Sequence, residues 1–371
     1  MIDAVDRRGF LKCMAWAGTG LVWTVGSGGL LSACTVGSSP APKVEGFSFV
    51  QVSDNHMGFS APGVNQDVAG TLQQLVDKIN ALPQRPAMML HTGDVAHLSK
   101  PSEFDTAYHI LSGIKTDGKF FVAGEHDVID DNGQGFRQRF RQNGQTTDWF
   151  SFDTHGVHFA GLWNIGDETT FGVLGQEQLD WLKKDLARVN KDTPVVVFAH
   201  VPLWALYPQW GWVTKDGEQA LALLKPFSSV TVLNGHIHQV ATQVEGNIRI
   251  YTANSTAFPQ HMPGVGEPGA YKLPAEELVR KLGYRSVTVV PGKQELAIVD
   301  TSLACPARRL PSRKAIIDRA SRKQPRPMVK CYPFVAVPII CAGPRPRCSG
   351  SAWAAVVIAI AWSLPSGGQR H

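Results

Sequence analysis

Five short blocks of His, Asp and Glu are the parts of this 371-residue sequence that could do chemistry. Each block follows a short apolar run. Carboxylate and imidazole ligands together suit Fe, Mn or Zn, and the two oxygens of a carboxylate can bridge two ions. Two ions about 3.5–4 Å apart can clamp the attacking and leaving oxygens of an in-line displacement. The blocks are Asp54-Asn55-His56, Gly93-Asp94, Gly124-Glu125-His126-Asp127, His200 and Gly235-His236-Ile237-His238.

The elements that must position these blocks are short, mostly apolar strands alternating with amphipathic helices. Apolar strands of this kind are buried on both faces, and side chains at their ends project into a shared crevice. The sequence therefore predicts a mixed, layered α/β fold. We predict strands at residues 47–53, 87–92, 119–123, 194–199 and 230–233, helices at 68–82, 102–111, 176–189 and 218–224, and hairpins at 150–162, 240–251 and 285–299.

Together the blocks resemble the calcineurin-like metallophosphoesterase superfamily, whose pattern is Asp-x-His, Gly-Asp, Gly-Asn-His-Asp/Glu, His and Gly-His-x-His. The resemblance covers residues 45–302. It implies an α/β sandwich of two mixed β-sheets flanked by helices, and hydrolysis of a small phosphate ester by a hydroxide that bridges two metal ions, Mn, Fe or Zn. It also implies a bridging ligand, Asp94, one site completed by Asp54, His56 and His238, and a second completed by Glu125, His200 and His236.

By the same resemblance, His126 is not a ligand but the acid that protonates the leaving-group oxygen. Asp127 would fix its tautomer and raise its basicity. An unprotonated alkoxide is a poor leaving group, so such an acid matters most for unactivated esters. The alternatives for His126 are a ligand of a third site and a purely structural histidine.

Glu125 is where the sequence departs from the family pattern, which usually has Asn at this position. Two divalent ions, a hydroxide and two carboxylates carry a formal charge of about +1, and Glu125 brings it to about zero. Such a site attracts a doubly charged monoester less strongly, so we expect a phosphodiesterase. Altered metal choice or a weakened second site is the alternative reading of Glu125.

Other side chains are candidates for substrate contact. His97 stands where purple acid phosphatases carry a Tyr, so the charge-transfer iron site of that branch is not expected. It could contact substrate, support a ligand or simply begin a helix. Trp204, Trp210 and Trp212 follow His200 and could form an aromatic pocket wall, with core packing as the alternative.

Charge and cysteine content divide the chain into parts. The net charge of +5 comprises +11 for residues 303–371, +1 for residues 1–34 and −7 for the segment between them. An acidic central segment argues against nucleic-acid binding. All six Cys lie outside residues 35–302, which limits a central metal site to imidazole and oxygen ligands.

The N-terminus is similar to a twin-arginine export signal, which implies the twin-arginine translocase as a partner. Arg7 and Arg8 precede Phe-Leu-Lys and a Gly-rich apolar run, and Leu31-Ser32-Ala33-Cys34 resembles a lipoprotein cleavage box. We predict a signal peptide at 1–34, acylation of Cys34 and a flexible tether at 35–44, with cleavage after Ala33 and a membrane anchor helix as alternatives. The mature protein would be periplasmic, or anchored on the outer side of the inner membrane.

The last segment, residues 303–371, is rich in Arg, Pro and Cys and has no sustained helical or strand period. We expect a disordered tail or an out-of-frame translation product, and the functional alternative is a basic arm that contacts anionic lipid. Two other functions remain open for the central domain at 45–302. One is a phosphomonoesterase or nucleotidase, and the other is a non-catalytic metal-binding scaffold.

Overall fold

Two stacked β-sheets carry the predicted ligands of the chain. The structure, a computed structural model, describes residues 22–25, 31–34, 46–142, 144–166, 171–290 and 296–304. The predicted tether at 35–44 lies outside these residues, as do Arg7, Arg8 and the tail from residue 305 onward. Of the predicted signal peptide, only the antiparallel pair of β1 (Val22–Val25) and β2 (Leu31–Cys34) is described.

The first sheet has five strands in the order β13-β12-β3-β4-β5. Its neighbours β3, β4 and β5 are parallel, whereas β12 runs antiparallel to both β3 and β13. The three parallel strands therefore end on the same edge. The strands are β3 (Phe47–Val52), β4 (Met88–Thr92), β5 (Gly118–Val122), β12 (Gly283–Val289) and β13 (Ala297–Ser302).

The second sheet has six strands in the order β10-β11-β9-β8-β7-β6. Its four central strands are parallel, and the strands at its two edges are antiparallel to their neighbours. Both sheets are thus mixed, and the predicted sandwich is confirmed. The strands are β6 (Phe150–Thr154), β7 (Val157–Gly161), β8 (Val195–Phe198), β9 (Val230–Asn234), β10 (Thr242–Glu245) and β11 (Ile248–Thr252).

Helices cover the outer faces of the two sheets. One apolar cluster joins β3 and β4 to α1, α2, α3 and α6, a second joins β7, β8 and β9 to α4 and α5, and a third fills the space between the sheets. No described helix is long and apolar enough to cross a membrane. The helices are α1 (Val68–Asn80), α2 (Pro101–Ser112), α3 (Gln134–Phe140), α4 (Gln176–Leu186), α5 (Gly217–Leu224) and α6 (Ala275–Lys281).

A buried polar seam ties the two sheets together below the predicted ligands. Gln51 Nε2 donates to Thr92 Oγ1 at 3.1 Å and to the carbonyl of Asn234 in the other sheet at 3.0 Å. Arg285, which is fully buried, donates to Gln51 Oε1 at 3.1 Å and to the carbonyl of Thr252 at 2.8 Å. Removing one partner would leave a buried polar group unsatisfied. These hydrogen bonds therefore fix the position of one sheet relative to the other.

Candidate metal centre

The five blocks meet at one end of the sandwich, where strands of both sheets end. His56 Nε2 lies 3.0 Å from His238 Nε2, and His238 Nε2 lies 3.3 Å from Asp54 Oδ1. Together with Asp94, these side chains form a buried group whose candidate ligand atoms all lie within 4.8 Å of one another. Its members are those that the family resemblance implies for the first site, with Asp94 as the implied bridging ligand.

The second group contains Glu125, His200 and His236. Glu125 Oε2 lies 2.8 Å from His200 Nε2, and Glu125 Oε1 lies 2.8 Å from His236 Nδ1. Each carboxylate oxygen of Glu125 thus faces one imidazole. The side chain therefore occupies a ligand position of the second group, despite its departure from the family pattern.

A single oxygen of Asp94 joins the two groups. Asp94 Oδ2 lies 3.4 Å from His56 Nε2 in the first group and 3.3 Å from His200 Nε2 in the second. The other oxygen, Oδ1, accepts a hydrogen bond from the backbone N–H of His126 at 2.9 Å. The carboxylate is thereby held between the two groups.

The donor set fits metal ions, because several of its buried nitrogen and oxygen atoms lack a hydrogen-bond partner. An unsatisfied buried polar group costs about 1–3 kcal/mol, and five such atoms converge here. Within the described part of the chain, the buried atoms on the predicted ligands that have no hydrogen-bond partner of suitable geometry are Asp54 Oδ2, Glu125 Oε2, His200 Nε2 and His236 Nδ1 and Nε2.

Two of the imidazoles are oriented by backbone carbonyls. His200 Nδ1 lies 2.6 Å from the carbonyl of Thr92, and His238 Nδ1 lies 2.7 Å from that of Phe258. A carbonyl can only accept, so each Nδ1 carries a proton and Nε2 is the nitrogen that faces the centre. Metal-binding histidines are held in this way.

The backbone is strained at five of the seven predicted ligands. A non-glycine residue with positive φ costs of order 1–3 kcal/mol and persists where the surrounding structure imposes it, commonly at functional sites. Here the five residues are all members of the two ligand groups. The φ angles are 56° at Asp54, 41° at His56, 54° at Asp94, 69° at His236 and 52° at His238.

Two glycines of the blocks leave room for ligands. A Cβ on Gly124 would lie 2.1 Å from Asp94 Oδ1, and one on Gly235 would lie 2.7 Å from Asp54 Oδ2. Both distances are shorter than van der Waals contact. The glycines before Glu125 and His236 are therefore required by close approach to the carboxylates.

Residues 47–240, more than half of the chain, match the calcineurin-like phosphoesterase family. The chain belongs to this family. It is also 28% identical over 227 residues to a probable glycerophosphodiester phosphodiesterase of Arcobacter nitrofigilis, which covers 57% of this chain and 78% of that protein. A probable cyclic nucleotide phosphodiesterase of Rhodococcus erythropolis is 23% identical over 235 residues, 62% of this chain and 76% of the relative.

Among solved structures, a purple acid phosphatase from yellow lupin (Lupinus luteus) aligns with a TM-score of 0.52 at 14% identity. The alignment covers 71% of this chain and 52% of the lupin protein. At this identity the likeness concerns the fold, which is that of the metallophosphoesterases. Family membership makes this chain a phosphoric ester hydrolase.

In this phosphoesterase, His126 lies beside both ligand groups. Its ring is edge-on to His56, with centroids 4.6 Å apart, and its Nδ1 lies 2.7 Å from the carbonyl of His97. Nδ1 therefore carries a proton that the carbonyl accepts. Burial lowers the pKa of His126, but the charges of Asp94 and Glu125 outweigh burial, so the net pKa is raised. The protonated ring is thus favoured.

The predicted role of Asp127 is corrected in part: its charge contributes to the raised pKa of His126, but its carboxylate does not bond the ring. Its Oδ1 accepts from the backbone N–H of Ala96 at 2.8 Å, and its Oδ2 accepts from those of Gly124 at 3.0 Å and Val95 at 3.2 Å. The carbonyl of His97, rather than this carboxylate, fixes the tautomer of His126. Asp127 instead joins the loop after β4 to the loop after β5, and so holds two ligand blocks together.

Trp212, for which the sequence leaves a pocket wall and core packing open, is only 1% exposed and belongs to the core. Trp204 is half-buried against the apolar cluster under α4 and α5. Trp210 packs edge-on between Tyr207 and Trp212, with centroids 5.1 Å from each. Core packing, the alternative for this aromatic loop, is therefore the arrangement that Trp212 and Trp204 adopt.

Asn164 supports the site and was missed from the sequence. Its Oδ1 accepts from the backbone N–H groups of His200 at 3.1 Å and Val201 at 3.2 Å, while its Nδ2 donates to the carbonyl of Val201 at 2.7 Å. Asn164 follows β7, so the strand-end rule that selected the five blocks could also have selected it.

The charges of the ligands are coupled. Burial raises the pKa of Glu125, but His236 and His200 outweigh burial and hold its pKa well below the usual value. Conversely, burial lowers the pKa of His56 well below its usual value, and neighbouring histidines lower it further. The centre therefore combines an ionised Glu125 with a neutral His56, the forms in which both bind metal.

Proposed function

We propose that this protein hydrolyses phosphodiesters with two metal ions. The observation that carries the proposal is Asp94 Oδ2, which lies 3.4 Å and 3.3 Å from one imidazole nitrogen of each ligand group. A carboxylate oxygen shared between two groups of ligands is the arrangement that two adjacent ions need. The relatives named as phosphodiesterases support the same substrate class.

One ion would be held by Asp54, His56 and His238, and the other by Glu125, His200 and His236. Asp94 would bind both ions. The donors are oxygen and nitrogen, which suit Mn, Fe or Zn. When bound, the ions would supply an activated water and neutralise charge on the phosphoryl oxygens.

His126 is placed to give the leaving group its proton. Because its Nδ1 is paired with the carbonyl of His97, Nε2 is the nitrogen left to face a substrate. Proton donation by a positioned side chain contributes about 10²–10⁴-fold to rate. Asp127 acts on this step indirectly, through the backbone of the loop that carries His126.

Glu125 supports a preference for diesters over monoesters. Its carboxylate is ionised and lies between His200 and His236, so it adds a negative charge to the ligand shell. A diester carries one negative charge and a monoester up to two, and the added charge disfavours the monoester more.

We expect replacement of Glu125 by Gln, or by the family's usual Asn, to raise the ratio of monoester to diester turnover. Either change removes the negative charge while retaining an amide oxygen as a ligand. The measurement is the kcat/KM ratio for mono-aryl and bis-aryl phosphate with Mn, Fe, Zn and Mg.

Asp180→Asn, an exposed change of equal charge on α4, is the control. Clear monoester preference in the unchanged protein would contradict the diester proposal and favour the phosphomonoesterase alternative. No turnover of either ester with any metal would favour the binding scaffold.

We further propose that the protein is exported folded, with its metals already bound, through the twin-arginine translocase. The support is the sequence Arg7-Arg8 before an apolar run, together with Cys34 at the end of that run. Metal loading before export would avoid competition with other metals outside the cytoplasm.

Replacing both Arg7 and Arg8 by Lys keeps the charge and should leave the enzyme in the cytoplasm. Cys34→Ser should release exported enzyme from the membrane fraction. Cell fractionation measures both outcomes, and unchanged distribution of either variant would contradict the corresponding proposal.

A further inference from the structure

The side chain of His97 faces a predicted metal ligand. Its Nδ1 lies 3.3 Å from Nδ1 of His56. The ring also packs edge-on to Phe59, with centroids 5.2 Å apart, and stacks on His126 at 4.9 Å with an interplanar angle of 15°. His97 is thus held between a ligand and the proton donor.

The ligand role of His56 determines where its proton must be. Its Nε2 faces His238 Nε2 at 3.0 Å and Asp94 Oδ2 at 3.4 Å, so Nε2 is the metal-facing atom. A neutral imidazole that ligates through Nε2 carries its proton on Nδ1. That proton needs an acceptor, and the nearby Nδ1 of His97 can supply a lone pair.

His56 differs in this respect from two other ligands of the centre. His200 and His238 donate from Nδ1 to backbone carbonyls, at 2.6 Å and 2.7 Å. His56 has a side chain as its partner instead. The orientation of this ligand consequently depends on which residue occupies position 97.

The backbone of residue 97 is itself fixed on both sides. Its N–H donates to the carbonyl of Met57 at 3.0 Å and lies 3.2 Å from Glu103 Oε2, and its carbonyl accepts from His126. Glu103 also accepts from the N–H of Leu98 at 2.7 Å. These bonds keep the imidazole in place without a contribution from substrate.

We propose that His97 is a positioning residue that accepts the Nδ1 proton of His56 and so aims Nε2 of that ligand at the first metal ion. The backbone carbonyl of His97 also orients the proton donor His126. One residue therefore positions both a metal ligand and the acid. This inference rests on the two-metal site of the proposed function. Of the three readings that the sequence leaves open for His97, it favours support of a ligand over substrate contact or the start of a helix.

A third metal ion is the competing use of this cluster. Candidate ligand atoms of His56, His97 and His126 lie within 4.8 Å of one another. However, Nε2 of His56 already faces the first ligand group, so His56 would have to lose both ring protons to bind a second ion through Nδ1. A hydrogen bond between His56 and His97 requires no such change.

The test compares two substitutions at position 97. Asn places an amide oxygen near the position of Nδ1 and can accept the proton, whereas Leu fills the space against Phe59 without an acceptor. We expect His97→Leu to weaken binding at one of the two metal sites about 10–100-fold, the usual effect of losing such a support. His97→Asn should remain within a few-fold of the unchanged protein.

Calorimetric titration of the apo-protein with Mn²⁺ measures both affinities, and the electron paramagnetic resonance spectrum of bound Mn²⁺ reports distortion of the site. His109→Leu, an exposed change on α2, is the control. Thermal midpoints of the apo-proteins separate altered metal binding from misfolding.

Several results would overturn the inference. If the His97→Leu variant bound Mn²⁺ as tightly as the unchanged protein, no acceptor for the His56 proton would be needed. If His97→Asn weakened Mn²⁺ binding as much as His97→Leu, packing of the imidazole ring, rather than the hydrogen bond, would be the role of His97. Binding of three ions would assign the cluster to a metal. If the unchanged protein bound no Mn²⁺, the proposed function itself would fail, which distinguishes that failure from the others.

Discussion

Replacing Asp94 by Asn should lower kcat for a bis-aryl phosphate by about 10³-fold or more, because ions at a catalytic centre contribute several kcal/mol and each 1.36 kcal/mol is tenfold in rate. The Asn side chain has one oxygen, and the backbone N–H of His126 already uses one oxygen of Asp94. The bridge between the two ligand groups is therefore lost while the loop keeps its hydrogen bond. Bound metal, measured by mass spectrometry, should fall below two ions per chain.

Asp180→Asn, which makes the same chemical change on the exposed face of α4, should alter neither turnover nor metal content. A circular-dichroism melting curve of the apo form establishes that the Asp94 variant is folded. Full activity in a folded Asp94→Asn variant would contradict the proposal that Asp94 binds both metal ions.

Replacing His126 by Ala should reduce turnover of diesters with alkyl leaving groups by about 10²–10⁴-fold, the usual contribution of a general acid. The effect should be much smaller for diesters with a nitrophenyl leaving group, since a stable phenolate needs no proton. Metal content should stay at that of the unchanged protein, because His126 Nδ1 bonds a carbonyl and the seven proposed ligands are all retained in this variant.

The informative quantity for His126 is the slope of log kcat against the pKa of the leaving group, which should steepen in the Ala variant. His109→Ala serves as the control, since its ring is exposed on α2. An equal loss for alkyl and nitrophenyl leaving groups would assign His126 to structure or metal binding, and an unchanged rate would favour a non-catalytic scaffold.

The ligands could be predicted from the sequence because their positions follow from local rules. Each block stands after a short buried strand, and parallel strands of one sheet end at the same edge. The glycines mark close approaches to the carboxylates, as at Gly124 and Gly235. The fold class and the convergence of the five blocks could therefore be predicted from the pattern of apolar runs and polar ends, whereas the division of the ligands into two groups came from the family resemblance.

The partners of individual side chains were not available from the sequence. Asp127 bonds the backbone of Ala96, 31 residues away, and this pairing depends on how two loops pass each other. Trp212 is buried although its neighbours in sequence, aromatic and glycine residues, suit a pocket wall equally well. The short helix α3 spans only seven residues, too few for a clear helical period.

The most direct test of the account is a crystal of the Mn²⁺-loaded protein measured at the manganese absorption edge. We predict two anomalous peaks about 3.5–4 Å apart, with Asp94 between them, one beside His56 and His238 and the other beside Glu125 and His200. A single peak in crystals of protein that retains full diesterase activity would contradict the two-metal centre.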